Sequence, residues 1–267
     1  MTLLITILIG TLAGAHASTW GMYKDAPHEG FSTLKYLRSL ILAAVVAPLV
    51  SRLMGVFPED AASAVILFGC VYGIERAVLE SWKTFFRDED QSKYAIPMQL
   101  AVLGKTVKSR PVRLFLGVLY GGVILGGLAL VSRFRAPPGT PIILLAATIG
   151  ALGGWFSAFG GAWKDAPIEG FQIFKFFRSP LIAAGFAFLL YTLGATPVQG
   201  MLGAIGYTVA TTETWKTFFF PTVPRGKFAG KPILFPEMLR RRKWFVPLYV
   251  VIWVVVLTGV VAALGGQ

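Results

Sequence analysis

One segment of 16 residues occurs twice in this chain in closely similar form. Residues 24–39 read KDAPHEGFSTLKYLRS and residues 164–179 read KDAPIEGFQIFKFFRS, with ten identities in 16 positions at an offset of 140. A second pair of segments, ESWKTFF at 80–86 and ETWKTFF at 213–219, is identical at six of seven positions at an offset of 133. Two matched motifs in the same order indicate an internal duplication.

The chain as a whole is strongly apolar. Hydrophobic residues make up 55% of its 267 residues and charged residues only 14%, which excludes an ordinary soluble domain and a disordered chain. Its one cysteine, Cys70, permits no internal disulfide, and two histidines give no reason to expect a zinc site. We therefore predict an all-α, polytopic membrane protein without a metal or another cofactor.

Eight segments are long and apolar enough to be membrane spans, since a bilayer core of about 30 Å needs roughly 20 residues of helix. They are Thr2–Tyr23, Tyr36–Met54, Ala61–Trp82, Val112–Phe134, Pro141–Trp163, Pro180–Gly194, Pro197–Trp215 and Trp244–Gly265, the second and sixth being the shortest. We expect a four-span repeat over 1–135, a Pro/Gly linker over 136–140 and a second four-span repeat over 141–267.

The first segment is expected to be retained. Ala15-His16-Ala17 has the small residues of a leader cleavage site, but no basic region precedes it. The fifth segment also occupies the same place in the second copy, where no leader could be removed.

Lys and Arg are concentrated in alternate connections between the segments. The connections after segments one, three, five and seven hold three, seven, three and eight of them, 21 of the 25 in the chain, when Arg38 and Arg113 at the adjoining segment ends are included. The positive-inside rule makes these connections cytoplasmic, so we expect both termini on the other side of a plasma (inner) membrane. Four spans per repeat give both repeats the same orientation. The basic balance favours anionic membrane lipids as partners over nucleic acid.

Glycine pairs spaced four residues apart predict close helix packing, although some such pairs are expected by chance in a glycine-rich chain. These pairs are Gly10/Gly14, Gly69/Gly73, Gly117/Gly121, Gly122/Gly126 and Gly150/Gly154. A homo-oligomer or a partner membrane subunit is among the expected interactions.

The first motif repeats charged residues as well as apolar ones. Asp25, Glu29, Lys35 and Arg38 recur as Asp165, Glu169, Lys175 and Arg178. One interpretation is an interfacial helix capped by Asp25, whose cations extend to the lipid headgroups. The other is a substrate site in which the two copies face each other and the cations bind a phosphate or carboxylate.

The second motif repeats an acid and a base three positions apart. The pairs are Glu80 with Lys83 and Glu213 with Lys216. They are either interfacial pairs beside Trp82 and Trp215, or further members of the same substrate site.

Three ionisable residues have no ionisable counterpart in the other copy. Glu75, Arg76 and His16 are matched by Thr208, Val209 and Phe156. An acid inside a membrane span is costly and predicts function, so we consider Glu75 and His16 candidates for proton coupling. The alternative is a local packing pair between Glu75 and Arg76.

The long basic loops offer weaker signals. Lys93 and Lys227 match at an offset of 134, which predicts a loop cation over the site in each half. The run Arg240–Lys243 predicts attraction to anionic lipid. The loop 225–232 lacks the spacing and the Ser or Thr of a nucleotide-binding loop, so we do not expect ATP there.

Three functions follow from these observations. The first is transport of an anionic solute or lipid headgroup, with the repeats moving against each other around the duplicated site. The second is a membrane-embedded enzyme acting on a phospholipid or polyprenyl phosphate, with Glu29 or Glu169 as its base. The third is a structural subunit of a membrane complex. The sequence does not decide whether the protein is an enzyme.

Overall fold

The fold is helical throughout, as the composition predicts. The computed structural model describes residues 1–91, 94, 98–102, 105–221 and 228–266, and the side chains of 163–169 and 175 are outside this description. Helix accounts for 78% of the structure. A hairpin of two short antiparallel strands, β1 (Ala101–Val102) and β2 (Lys105–Thr106), lies in the first long loop.

Ten α-helices occur in the described part of the chain. They are α1 (Thr2–Glu29), α2 (Thr33–Met54), α3 (Ala61–Ser81), α4 (Arg110–Arg133), α5 (Ile142–Leu145), α6 (Ala151–Glu169), α7 (Ile173–Thr192), α8 (Pro197–Phe218), α9 (Met238–Arg241) and α10 (Val246–Gly265). A π-helical turn, Trp82–Phe86, extends α3, and another, Ala146–Gly150, joins α5 to α6. A 3-10 turn, Arg242–Phe245, joins α9 to α10.

Six helical stretches within the described residues are long and apolar enough to cross a bilayer. They are Thr2–Glu29, Thr33–Met54, Ala61–Phe86, Arg110–Arg133, Ile142–Ala162 and Met238–Gly265. These stretches are consistent with a helical integral membrane protein. The other two predicted spans are helical as well, but α7 has only a shorter apolar stretch, Phe176–Thr192, and α8 carries polar side chains such as Gln199 and Glu213.

Glycines bring α1 against α2 and α6 against α7 at matching positions. A Cβ atom on Gly14 would lie 2.4 Å from the carbonyl oxygen of Ser39, and one on Gly154 would lie 2.5 Å from that of Ser179. Both contacts join residues that correspond at the offset of 140. The same close approach therefore forms in each copy, because only glycine leaves room for the facing backbone.

The turn after each of these first helices also depends on glycine. Gly30 follows α1 and Gly170 follows α6, and both have φ of 76°. This left-handed backbone conformation is strained for residues with a side chain. The Glu-Gly-Phe sequence that recurs in the first motif thus lies at the turn between one helix and the next.

The prediction that Asp25 caps a separate interfacial helix is wrong. Helix α1 continues through Asp25 and Pro27 to Glu29. Pro27 has no N–H to donate to the carbonyl of Tyr23, four residues earlier. Arg242 Nη1 donates to that carbonyl instead, at 2.9 Å, so the helix end is satisfied by a residue far along the chain.

Helices α3 and α8 cross in the same direction where neither has a side chain. A Cβ atom on Gly206 would lie 2.1 Å from the carbonyl oxygen of Gly69, and one on Gly73 would lie 3.3 Å from Gly206 N. Gly203, one turn earlier in α8, lies against Ile66, also one turn earlier in α3. Gly73 and Gly206 are 133 residues apart, the same offset that separates the two occurrences of the second motif.

Helix α4 lies at the outside of the molecule. Gly117 packs against the side chain of Phe85, but no described atom would lie within 4 Å of a Cβ on Gly121, Gly122 or Gly126. The pairs Gly10/Gly14, Gly69/Gly73 and Gly150/Gly154 do form close helix contacts. Close packing of the α4 glycines within this chain was therefore a wrong prediction for three of the four residues, because no helix faces them.

Candidate functional site

A cluster of ion pairs joins helix α1 to helix α8. Lys24 Nζ lies 2.9 Å from Glu213 Oε2, and Lys216 Nζ lies 3.4 Å from Glu213 Oε1. All three side chains are largely buried, with 14–18% of their surface exposed. The cluster lies near the C-terminal ends of α1 and α8, where the helix dipoles favour cations. Within the described residues, two cations thus contact one carboxylate.

The side chain of Arg242 lies beside this cluster. Its Nη1 donates to the Tyr23 carbonyl and its Nη2 to the Pro221 carbonyl, both at 2.9 Å. The guanidinium also lies 4.3 Å from the ring centroid of Tyr23. In the sequence, Arg242 is recognisable only as a member of a basic run predicted to attract lipid. The presence of Pro27 does indicate that the Tyr23 carbonyl, four residues earlier, needs another donor.

Glu75 is buried, with 1% of its side chain exposed, and pairs with the adjacent Arg76. Arg76 Nη2 also donates to Ser39 Oγ at 3.0 Å, and its guanidinium lies 5.6 Å from the ring centroid of Trp20. Trp20 is within the same distance of Lys24 Nζ. The indole therefore lies between the buried Glu75–Arg76 pair and the Lys24 cluster.

His16 is connected to this group by hydrogen bonds. Trp20 Nε1 donates to Tyr72 Oη at 2.8 Å, and Tyr72 Oη lies 3.0 Å from His16 Nδ1. The Tyr72 oxygen has two acceptor lone pairs and one proton, so the tautomer of His16 decides whether Nδ1 donates to Tyr72 or accepts from it. His16 is 0% exposed, and its Nε2 has no hydrogen-bond partner among the described residues.

A third helix closes this buried group. The His16 ring centroid lies 4.5 Å from that of Tyr249 and 5.1 Å from that of Trp253, both in α10. Thr214 Oγ1 lies 2.6 Å from Tyr249 Oη and accepts from Trp253 Nε1 at 3.2 Å. Helices α1, α3, α8 and α10 thus contribute to one continuous polar region.

This buried acid and base are present in only one of the two copies. The positions equivalent to His16 and Glu75 hold Phe156 and Thr208, and Thr208 is fully buried. The Glu75–Arg76 contact agrees with the predicted packing pair. The geometry leaves the predicted role of Glu75 and His16 in proton coupling untested.

The remaining predicted site residues lie elsewhere. Lys35 and Arg38 are exposed near the beginning of α2, and Lys35 Nζ lies 5.4 Å from the ring centroid of Tyr94. Glu80 Oε1 and Lys83 Nζ lie 3.1 Å apart. Asp25, Glu29 and Arg178 are partly exposed. The side chains of Asp165, Glu169 and Lys175, and the loop residues Lys93 and Lys227, are outside the described residues.

Several polar partners were not predicted, and the chain spacing contains a signal for some of them. Trp20 follows His16 by one helical turn, and Tyr72 precedes Arg76 by one turn, so each lies on the same helix face as its charged neighbour. Ser39, Thr214 and Tyr249 could not be found this way because they come from other helices.

Comparisons with known proteins identify no relative. No protein-family model, curated protein or solved structure matches this chain. Among the described residues, no group of three or more His, Cys, Asp or Glu side chains is arranged to hold a metal ion.

Proposed function

We propose that this protein is an integral membrane transporter for an anionic solute or a lipid headgroup. The observation that carries the proposal is the buried Lys24–Glu213–Lys216 cluster, which joins α1 to α8 and places two cations around one carboxylate. A bound anion competes with the Glu213 carboxylate for these two ammonium groups. Substrate binding therefore loosens the contact between α1 and α8.

The proposed architecture is two four-helix repeats with the same orientation. Its support comes from the matching contacts of Gly14 and Gly154 with Ser39 and Ser179, and from the parallel crossing of α3 and α8. A pseudo-twofold axis along the membrane normal brings equivalent positions together at such a crossing. In this proposal α7 and α8 also cross the membrane, inside the bundle.

We further propose that the buried Glu75 and His16 couple proton movement to transport. Intramembrane acids and histidines are typical of proton relays. In the tautomer in which Nδ1–H donates to Tyr72, the Nε2 of His16, which has no partner among the described residues, is a position where a proton can be taken up and released. The second half of the chain has Phe156 and Thr208 at the corresponding positions, so in this proposal it takes no part in proton movement. It contributes Glu213 and Lys216 to the ion-pair cluster.

The proposed orientation has the basic connections in the cytosol of a cell with a plasma (inner) membrane. Cys70 is fully buried, so the folded wild-type protein offers no thiol background for labelling. In intact cells, a membrane-impermeant maleimide should label Pro138→Cys but not Lys108→Cys, which lie in exposed connections on opposite faces. The reverse labelling pattern would overturn the orientation.

Transport can be tested in proteoliposomes without knowing the substrate. Solid-supported membrane electrophysiology would record currents after jumps of sodium phosphate, sulfate or chloride, and dithionite quenching would follow scrambling of a fluorescent phosphatidylglycerol. We expect at least one of these activities in wild type and its loss in Glu213→Gln and in Lys35→Ala/Lys175→Ala.

Arg110→Ala provides a control, because the Arg110–Asp88 pair spans 3.7 Å and both side chains are more than half exposed. Full activity of the folded Lys35→Ala/Lys175→Ala double variant would exclude those cations from the site. Turnover of a phospholipid in detergent, with no flux in liposomes, would replace transport by the enzyme hypothesis.

A second candidate function is a structural subunit of a membrane complex. Helix α4 favours it, because no described atom would lie within 4 Å of a Cβ on Gly121, Gly122, Gly126 or Gly127. Gly122 and Gly126, four residues apart, lie on one helix face, and such a pair suits close contact with another transmembrane helix. Gly122→Leu/Gly126→Leu should then break a complex isolated in mild detergent, while leaving the folded monomer intact.

A further inference from the structure

A small cavity lies beside the Lys24–Glu213–Lys216 cluster. It has a volume of about 30 Å³ and is lined by Lys24, His28, Lys216, Thr217 and Arg242, together with Phe220 and Pro221. The described lining residues include three permanent cations and no acid. The cavity lies between the end of α1, the end of α8 and the 3-10 turn before α10.

Two hydrogen-bonding atoms of this lining have no partner among the described residues. Thr217 Oγ1 and Arg242 Nε are both buried in residues that are 5% and 8% exposed. Arg242 cannot turn away to satisfy its Nε, because its two Nη atoms are held by the carbonyls of Tyr23 and Pro221. A buried donor without an acceptor is unfavourable, so this arrangement favours a bound acceptor.

The other lining groups also favour an acceptor that carries negative charge. Lys24 and Lys216 reach Glu213 from the cavity wall. His28 Nδ1 donates to the Pro232 carbonyl at 2.8 Å, and its ring stacks on Phe228, so its orientation is fixed. A water molecule could satisfy the two donors, but it would supply no negative charge to Arg242, whose described partners are neutral carbonyls and the Tyr23 ring.

We propose that this cavity binds a small inorganic anion of the size of chloride. A volume of about 30 Å³ is close to that of one water molecule, so a single halide ion fits it. Thr217 Oγ1 and Arg242 Nε donate to the ion, and Lys24 and Lys216 supply its counter-charge. This inference deepens the proposed function and rests on it only for the role of the ion as a transported or co-transported species.

Thermal unfolding of the purified full-length protein tests the site directly. Unfolding is followed by reaction of Cys70 with a thiol dye, in sodium chloride and in sodium gluconate at equal ionic strength. Saturating chloride should raise the Tm of wild type by about 2–4 °C over gluconate. Thr217→Val, which replaces the hydroxyl by a methyl group, should lose this rise, and Thr217→Ser should keep it.

The second motif provides a matched control. Thr84 stands at the position equivalent to Thr217, and Thr84→Val should retain the full chloride response. An equal chloride response in Thr217→Val and Thr84→Val, or no response in wild type, would overturn the proposal. A response to phosphate without one to chloride would also overturn it.

The binding result and the transport result can fail separately. A chloride response that depends on Thr217, with no anion current or lipid scrambling in liposomes, keeps the site and rejects the transporter. Anion currents with no chloride response keep the transporter and reject the site.

Discussion

Lys24 and Glu213 are 189 residues apart in the chain, yet the Lys24 ammonium lies 2.9 Å from the Glu213 carboxylate. The contact joins α1 to α8. Each of the two residues belongs to a motif that occurs twice in the sequence.

This ion pair should stabilise the protein measurably. Lys24→Met is expected to lower the free energy of unfolding by about 1–3 kcal/mol, because it leaves a buried carboxylate with one cation instead of two. Glu213→Gln should have a similar effect, and the two substitutions should not be additive. Unfolding can be followed by dye labelling of the buried Cys70. The exposed pair of Arg110 and Asp88 serves as the comparison, with an expected effect of about 0–1 kcal/mol for Arg110→Ala.

The crossing of α3 and α8 should not accept a methyl group. Gly206→Ala places a Cβ 2.1 Å from the Gly69 carbonyl oxygen, and the backbone there cannot move aside without separating the helices. We expect a loss of about 1–3 kcal/mol or a failure to fold. Gly127→Ala, in α4, meets no described atom within 4 Å and should be neutral or stabilising by up to about 1 kcal/mol. Similar Tm values for the two variants would contradict the crossing.

The second copy suggests how to remove the buried Glu75–Arg76 pair without unfolding the protein. Glu75→Gln leaves the Arg76 guanidinium without its carboxylate, with an expected loss of about 3–5 kcal/mol. Glu75→Thr/Arg76→Val introduces the residues of positions 208 and 209 and removes both charges. Its free energy of unfolding should return to within about 1 kcal/mol of wild type.

The same double variant separates stability from function. A folded Glu75→Thr/Arg76→Val protein that loses pH-gradient-driven flux but keeps anion exchange supports proton coupling. Unchanged gradient-driven flux would assign Glu75 to packing alone.

Asp60 should give the stability a small dependence on acid pH. Asp60 caps α3, and hydrogen bonds from the Ser63 side chain and backbone hold the pKa of its carboxyl below the ordinary value. A lowered folded-state pKa contributes stability that is fully present above the unfolded pKa of about 3.9 and is lost as the pH falls further. Asp60→Ala should therefore lower the Tm at pH 7 and have a smaller effect at pH 3. Since Asp60 is exposed, the difference should be near the lower limit of about 0.5 kcal/mol for such caps.

The sequence predicted the helices well because apolar length and glycine position act locally. Every predicted span coincides with a helix, and Gly14 and Gly154 pack as their spacing suggested. The error at Asp25 arose because Pro27 was taken as a beginning of a helix. The structure instead continues α1 past Pro27, since Arg242 supplies the hydrogen bond that proline cannot.

The site was less predictable because its contacts join distant parts of the chain. Glu213 and Lys216 were found as a duplicated pair, but their partner Lys24 belongs to another helix, and no local spacing reveals that meeting. Tyr72 and Trp20 are ordinary membrane-helix residues in the sequence. Only their hydrogen bonds around His16 distinguish them from lipid-facing aromatics.

The contact of Gly73 with Gly206 has a mechanical consequence. Because no side chain separates Gly73 from Gly206, the two helices can tilt relative to each other about this contact. Glu213 lies seven residues beyond Gly206, which is roughly 10 Å along the helix axis. A rotation of about 15° would then carry its carboxylate roughly 3 Å, the length of the bond to Lys24. A slight tilt of α8 at these glycines is therefore enough to open the ion pair between Lys24 and Glu213.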